Sequence, residues 1–192
     1  MYNVAVFVSG KGSNLRSLFD NTDKNFVRIA AVVSNKKNCG AVDFANQNSI
    51  PVFFIAEKPD DEFIDYKTLT QKFYDLKIDL IVLAGFLKKI PDDFIDAFNK
   101  RIINIHPALL PKFGGKGMYG MNVHKAVFES KEKFSGATVH FVDKIFDHGE
   151  IIAQVKVDIS DCRSPEEIAL KVLEIEHNLL PSVVNNFSKK LY

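Results

Sequence analysis

Cysteine is scarce in this 192-residue chain: Cys39 and Cys162 stand far apart and in no CxxC spacing. That excludes a disulfide framework, offers no thiolate zinc site and fits a reducing compartment. Net charge is scarce too, +1 at pH 7. A surface built to coat nucleic acid is thereby excluded, while room remains for a local patch that holds one or two phosphates. No apolar run has the length of a membrane span, and the first residues, Met1-Tyr2-Asn3-Val4, lack the basic stretch that opens a signal peptide. No His, Asp or Glu set on one element has metal-ligand spacing, and no GxSxG elbow occurs, so metal-assisted and serine hydrolysis both lack a signal. Together these absences predict a cytoplasmic protein that works without metal on small molecules, with neither nucleic acid nor membrane as partner.

What is present is an ordinary globular composition, 46% apolar and 26% charged, in a chain long enough for one well-buried core. One domain over residues 1–192 is expected. Residues 4–8 form a continuous apolar run that stops at Gly10-Lys11-Gly12-Ser13-Asn14, after which Leu15, Leu18 and Phe19 recur at helical spacing. This reads as strand, glycine loop and helix. The pattern repeats with strands at 29–33 and 51–55, a helix at 41–47, and a long amphipathic helix through Phe63, Leu69, Phe73 and Leu76. Residues 80–84 and 102–105 read as central parallel strands, with Pro91 opening a short helix between them. Residues 137–142 and 151–157 alternate more strongly and flank the turn Asp147-His148-Gly149, as an antiparallel pair would. Ser164-Pro165-Glu166-Glu167 opens the last helix, with Ser164 as cap, Pro165 at the first position and Glu167 reaching back, and that helix runs on towards Phe187. The order predicts a Rossmann-like, doubly wound α/β fold: a mostly parallel sheet with an antiparallel edge near the C-terminus, binding ligands at the carboxyl ends of its strands.

Three constellations could carry chemistry. The loop Gly10-Lys11-Gly12-Ser13-Asn14 precedes the first helix, where free N–H groups and the helix dipole favour an anion such as a phosphate. It lacks the third glycine of GxGxxG and is not a Walker motif, so neither a dinucleotide nor a triphosphate is favoured. The plain alternative is a tight turn with Asn14 capping the helix. Asn104-Ile105-His106-Pro107 ends a buried strand, and alternation puts Asn104 and His106 on one face. An amide donor and an imidazole two residues apart can both address one developing oxyanion, as acyl transfer requires, although a lone strand-end His is more often structural. Asp147 sits in a turn that could explain it alone, and beside His106 it would favour the imidazolium. His124, His140 and His177 are weaker signals, with solvent or packing roles as the default, and His148 has no assignment.

Taken together, Ser9-Gly10-Lys11-Gly12-Ser13-Asn14-Leu15, Leu83-Ala84-Gly85-Phe86, Asn104-Ile105-His106-Pro107 with Leu109-Leu110-Pro111, and Val139-His140-Phe141-Val142 leading to Asp147 resemble the phosphoribosylglycinamide formyltransferase family. Four spaced motifs in order over nearly the whole chain are far more specific than any one. The resemblance implies 10-formyltetrahydrofolate as co-substrate, no metal, and glycinamide ribonucleotide as acceptor. It implies that Gly12, Ser13 and Asn14 hold the ribonucleotide phosphate and that Glu176 contacts the glycinamide. Asn104 and His106 would stabilise the tetrahedral intermediate, and Asp147 would keep His106 charged and help move the proton of the attacking amine. Leu87, Lys88, Lys89 and Ile90, with Asn104 and the backbone of the turn at 143–147, would line the folate pocket.

Two departures from the family stand out. Family members often carry an arginine near position 63, where this chain has Phe63, so the glutamate end of the folate would fall to Lys88, Lys89 or another cation. The segment 112–120 is longer than in some members, and its glycines suggest a mobile loop over the site, with no role carried over. Methionyl-tRNA and sugar-nucleotide formyltransferases share the Asn-x-His…Asp set but usually carry a further domain. The Gly-Ser-Asn loop, the low charge and the length favour a small ribonucleotide, handled by a monomer or homodimer. A non-catalytic binding module is disfavoured by three intact catalytic residues.

Overall fold

Strand β1 (Tyr2–Val8) is buried along its whole length, because it runs through the centre of the sheet with both faces covered. The structure, a computed structural model, describes residues 1–189. After β1 come α1 (Ser13–Asn21), β2 (Val27–Ser34), α2 (Gly40–Gln47), β3 (Val52–Phe54), α3 (Tyr66–Asp75), β4 (Leu80–Leu83), α4 (Asp92–Ala97) and β5 (Ile102–His106). Then follow α5 (Met121–Glu129), β6 (Phe134–Phe141), β7 (Ile151–Asp158) and α6 (Pro165–Lys189). The strands pair in the order β3-β2-β1-β4-β5-β6-β7. Pairs from β3 to β5 are parallel, and β5–β6 and β6–β7 are antiparallel, as the sequence pattern predicts. The chain winds outward from β1 in one direction and from β4 in the other, so the crevice between their carboxyl ends is the natural ligand position.

Alternation along the strands divides the core in two. Val4, Val6 and Val8 face one layer with Leu15, Leu18, Phe44, Val123, Val172 and Leu180, under α1, α2, α5 and α6. Ala5 and Phe7 face the other with Leu69, Phe73, Phe94 and Phe98, under α3 and α4. There Phe7 meets Phe73 edge-on at 6.1 Å and Phe86 at 5.3 Å, so the second layer is built around a cluster of aromatic rings.

Several ends shift by one to three residues from the sequence reading, β6 for example beginning at Phe134, and two of the shifts bear on the site. The third strand is only Val52–Phe54, and the helix expected from Phe63 begins at Tyr66. Asp65 caps it by accepting from Thr68 N at 2.7 Å, and Ile64 is held in an extended bridge to Ile55, which leaves Phe63 in the loop before the helix. At the start of α6, Ser164 accepts from Glu167 N at 3.2 Å while the Glu167 carboxylate reaches back to Arg163 N at 2.6 Å. Pro181 lies inside α6 and has no N–H to give to the His177 carbonyl. Ser17 of α1 donates to that carbonyl at 2.6 Å, so the defect in one helix becomes a bond to the other.

Candidate active site

The glycine loop of residues 10–14 lies at the carboxyl end of β1. Gly12 occupies the cap position of α1 in the left-handed region (φ 77), and a Cβ there would sit 2.7 Å from Ala41 Cα. Glycine is therefore required twice, for conformation and for space. No side chain caps α1, and the first-turn N–H groups have no acceptor within the helix, which suits an anion. The Asn14 side chain does not cap α1. It is buried, and its amide donates to the Glu176 carboxylate at 2.8 Å across the α1–α6 seam. The cap reading is corrected, with Gly12 rather than Asn14 at the cap position. Glu176, 7% exposed, has no second donor among the hydrogen bonds of its side chain. Burial pushes its pKa up to about 7, against the lowering effect of Asn14.

The second group forms where β5 ends. Alternation sets Asn104 and His106 on one face, and the antiparallel register places His140 of β6 directly opposite Asn104. Asp147 completes the cluster from the following turn. Its Oδ2 lies 3.6 Å from His106 Nδ1, and its Oδ1 lies 3.6 Å from His140 Nε2 and accepts from Asn104 Nδ2 at 3.4 Å. Gly115 N also donates to Oδ2, at 2.9 Å. Asp147 thus does not serve its own turn; Asp143 does, accepting from Ile145 N at 2.8 Å. Asp147 holds a positive φ of 55, a backbone state that bulky residues adopt rarely and that here aims the carboxylate inward.

Hydrogen positions follow from the partners, because a carbonyl can only accept. His106 Nε2 lies 2.8 Å from the Phe113 carbonyl and so carries a hydrogen, which leaves Nδ1 facing Asp147. His140 Nδ1 lies 2.8 Å from the Phe141 carbonyl and is a donor, so in the neutral ring Nε2 is free to accept from Asn104 Nδ2 at 3.1 Å. Burial pushes the His106 pKa down, and outweighs the Asp147 charge and the Phe113 carbonyl that raise it; His140 adds to the lowering. In the free protein, burial therefore opposes the Asp147 charge at His106. Burial also works against the Asp147 carboxylate, but His140, His106 and the Gly115 N–H together hold its pKa below the ordinary value.

A cavity of about 80 Å³ opens above this cluster, lined by Leu83, Phe86, Ile95, Asn104, Val142 and Asp147, with Lys88, Lys89 and Ile90 also in its wall. A second, of about 270 Å³, shares Phe86, Lys88 and Lys89 with it and continues past Glu57, Phe63 and Tyr66. Four of the five residues expected to line a folate pocket are thus present; Leu87 is the exception, half exposed and outside both linings. Its backbone matters instead, since Leu87 N donates to Ser9 Oγ at 3.0 Å and ties this turn to the end of β1.

Sequence reasoning left His140 as a weaker signal, and strand register sets it opposite Asn104; it passed over the backbone of Phe113 and Gly115. It left His124 to solvent or packing, and the structure buries it with Nδ1 unpartnered and its pKa pushed down to about 4, by burial first and then by the His106 charge. His148 is exposed. Among the described residues no group of three or more His, Cys, Asp or Glu side chains could hold a metal ion.

Comparison with known proteins bears on this geometry. The sequence pattern of the formyl transferase family matches residues 2–184. The chain is 44% identical over 185 residues to the chloroplastic phosphoribosylglycinamide formyltransferase of Arabidopsis thaliana, covering 94% of this chain and 63% of that protein. To phosphoribosylglycinamide formyltransferase of Haemophilus influenzae it is 34% identical over 198 residues, covering 98% of this chain and 88% of that one. The chain spans about three-fifths of the length of the Arabidopsis and Vigna unguiculata relatives. Among solved structures, phosphoribosylglycinamide formyltransferase from Anaplasma phagocytophilum superposes with a TM-score of 0.86 at 32% identity, over 98% of this chain and 87% of that one.

Proposed function

This chain belongs to the formyl transferase family, and on that premise we propose that it moves the formyl group of 10-formyltetrahydrofolate onto the amine of N1-(5-phospho-D-ribosyl)glycinamide. The products are the N-formyl ribonucleotide and tetrahydrofolate, a step of de novo purine (IMP) biosynthesis. The observation that carries the reading is the meeting of Asn104, His106 and Asp147 under a cavity at the carboxyl end of β5. Asn104 donates from its amide and His106 from its imidazolium to the oxygen that becomes negative as the amine adds to the formyl carbon. The carbon–N10 bond then breaks, and Asp147, through His106, assists transfer of the amine's proton to the departing nitrogen. The site's groups supply this chemistry without a metal.

The apolar walls of the first cavity, Leu83, Phe86, Ile90, Ile95 and Val142, fit a flat heterocycle, and the second cavity extends the same groove. We assign the acidic folate tail to Lys88 and Lys89 there, with Phe63 as an apolar wall in place of an arginine. Gly12, Ser13 and Asn14 offer backbone N–H groups to the ribonucleotide phosphate, and Glu176 lies one helix away to meet the glycinamide. One formyltransferase domain carries every group that the proposal uses, in a monomer as in a homodimer. No helix among the described residues is long and apolar enough to cross a membrane; a cytoplasmic setting fits the reading, although the plant relatives are named as chloroplastic. The test mixes purified protein with both substrates, without metal, and follows tetrahydrofolate release by absorbance. Acceptor-dependent turnover that vanishes in His106→Ala is the expected result. No turnover, with folate binding still detected by calorimetry, would move the assignment to another amine acceptor.

A further inference from the structure

We infer that the segment 113–115 is a positioning element of the reaction, fixing the His106 tautomer and the Asp147 carboxylate through its backbone. Two residues apart, it touches both members of the dyad: the Phe113 carbonyl accepts from His106 Nε2 at 2.8 Å, and Gly115 N donates to Asp147 Oδ2 at 2.9 Å. Between them Gly114 lies so close that a Cβ would come within 2.6 Å of Leu110 Cδ2 and 3.2 Å of Asp147 Cβ. The segment takes this path only by accepting positive φ at Phe113 (57) and Gly115 (97), and Asp147 opposite it is also positive (55). An aromatic residue in the left-handed region is uncommon, and such conformations concentrate where surroundings enforce them for function. The consequence is chemical. With the Nε2 hydrogen held on a carbonyl, Nδ1 is the only ring nitrogen that can gain and lose the working proton, and it faces Asp147. Without the segment, the imidazole could carry its hydrogen on either nitrogen and turn about its own axis.

The inference rests on the formyl-transfer reading, and the experiment separates the two. The Phe113 ring packs against the core, so a packing role is the rival explanation. Phe113→Asn loses that packing but tolerates the left-handed backbone, whereas Phe113→Val stays apolar and resists it. If position comes from the backbone, kcat is higher in the Asn variant by on the order of ten-fold, with KM for the ribonucleotide alike in both. Equal kcat values, or the reverse order, would overturn the inference. Gly115→Ala is a second probe, since its Cβ would meet nothing within 4 Å and only the φ of 97 opposes it. Its kcat should fall about ten- to hundred-fold at unchanged KM, and the slowly exchanging His106 Nε2 proton that nitrogen-15 NMR is expected to show in the parent should disappear. A parent-like kcat with that proton retained would sink the idea. Turnover by the parent in the same assay tests the formyl-transfer reading, while the NMR signal needs no substrate, so either can fail alone.

Discussion

The β5–β6 site and the α1–α6 seam each bury one carboxylate, and they treat it in opposite ways. Asp147, with 12% of its side chain exposed, receives Asn104 Nδ2 and Gly115 N and lies 3.6 Å from each of two imidazoles. Its pKa is lowered in spite of burial. Glu176, 7% exposed, receives one donor, Asn14 Nδ2, and its pKa rises to about 7 through burial. Depth alone therefore does not decide whether a carboxyl stays ionised; the number of donors and charges facing it does. The first arrangement favours the ionised carboxylate beside the imidazole to which the proposed reaction gives the proton transfer. The second holds a group able to change state near neutrality, at the α1–α6 seam.

The sharpest way to break this comparison is to neutralise each carboxyl in turn. Asp147→Asn keeps the shape and should lower kcat by about two to four orders of magnitude, as should His106→Ala, the usual worth of an acid or base group. Steady-state kinetics at saturating substrate reads it, and an Asp147→Asn enzyme within a few-fold of the parent would remove Asp147 from the mechanism. Glu176→Gln should act on stability first. The folded pKa of Glu176 exceeds its unfolded value, so between about pH 4.5 and 7 the native state keeps a proton that the unfolded chain has lost, and stability falls as pH rises through that window. Glu176→Gln should abolish that slope and gain at most about 3 kcal/mol above pH 7 over the parent. Asp147 has the other sign: its contribution is present above the unfolded value of 3.8 and is lost only as pH falls through its lowered folded pKa. Urea unfolding at several pH values checks both, and a parallel stability profile for Glu176→Gln and parent would show that Glu176 is ionised throughout.

Local pattern carried much of this into the sequence. The strand alternation of β5 sets Asn104 and His106 side by side, and the Gly10-to-Asn14 loop announces its place between β1 and α1, because both are matters of a few neighbouring residues. His140 stood only as a weaker signal, since its position depends on which residue of β5 it pairs with, 36 places away. The Asn14–Glu176 bond spans 162 residues and depends on how α6 lies across α1. Phe63 misled through its own spacing: it continues the apolar period of α3, but the Ile55–Ile64 bridge and the Asp65 cap make the helix begin only after it. The contribution of Phe113 and Gly115 is made by backbone atoms, which side-chain reasoning does not register at all.

The finest test of the contrast asks whether the single donor to Glu176 serves the charge or only the shape. Asn14 Nδ2 is the donor that lowers the Glu176 pKa, while its own Oδ1 is buried without a partner. A hydrogen bond to an ionised group is worth about 1.5–3 kcal/mol and a neutral one about 1. Asn14→Ala should therefore cost about 1 kcal/mol more above pH 7 than at pH 5, where Glu176 is protonated. In Glu176→Gln that pH dependence should disappear, because the Gln amide stays neutral and can also donate to the bare Asn14 Oδ1. A double-mutant cycle run at both pH values isolates this term from the helix propensity that alanine adds to α1. A coupling energy that is the same at both would mean that Asn14 merely fills the seam, and the donor count would then no longer explain why the two carboxyls differ.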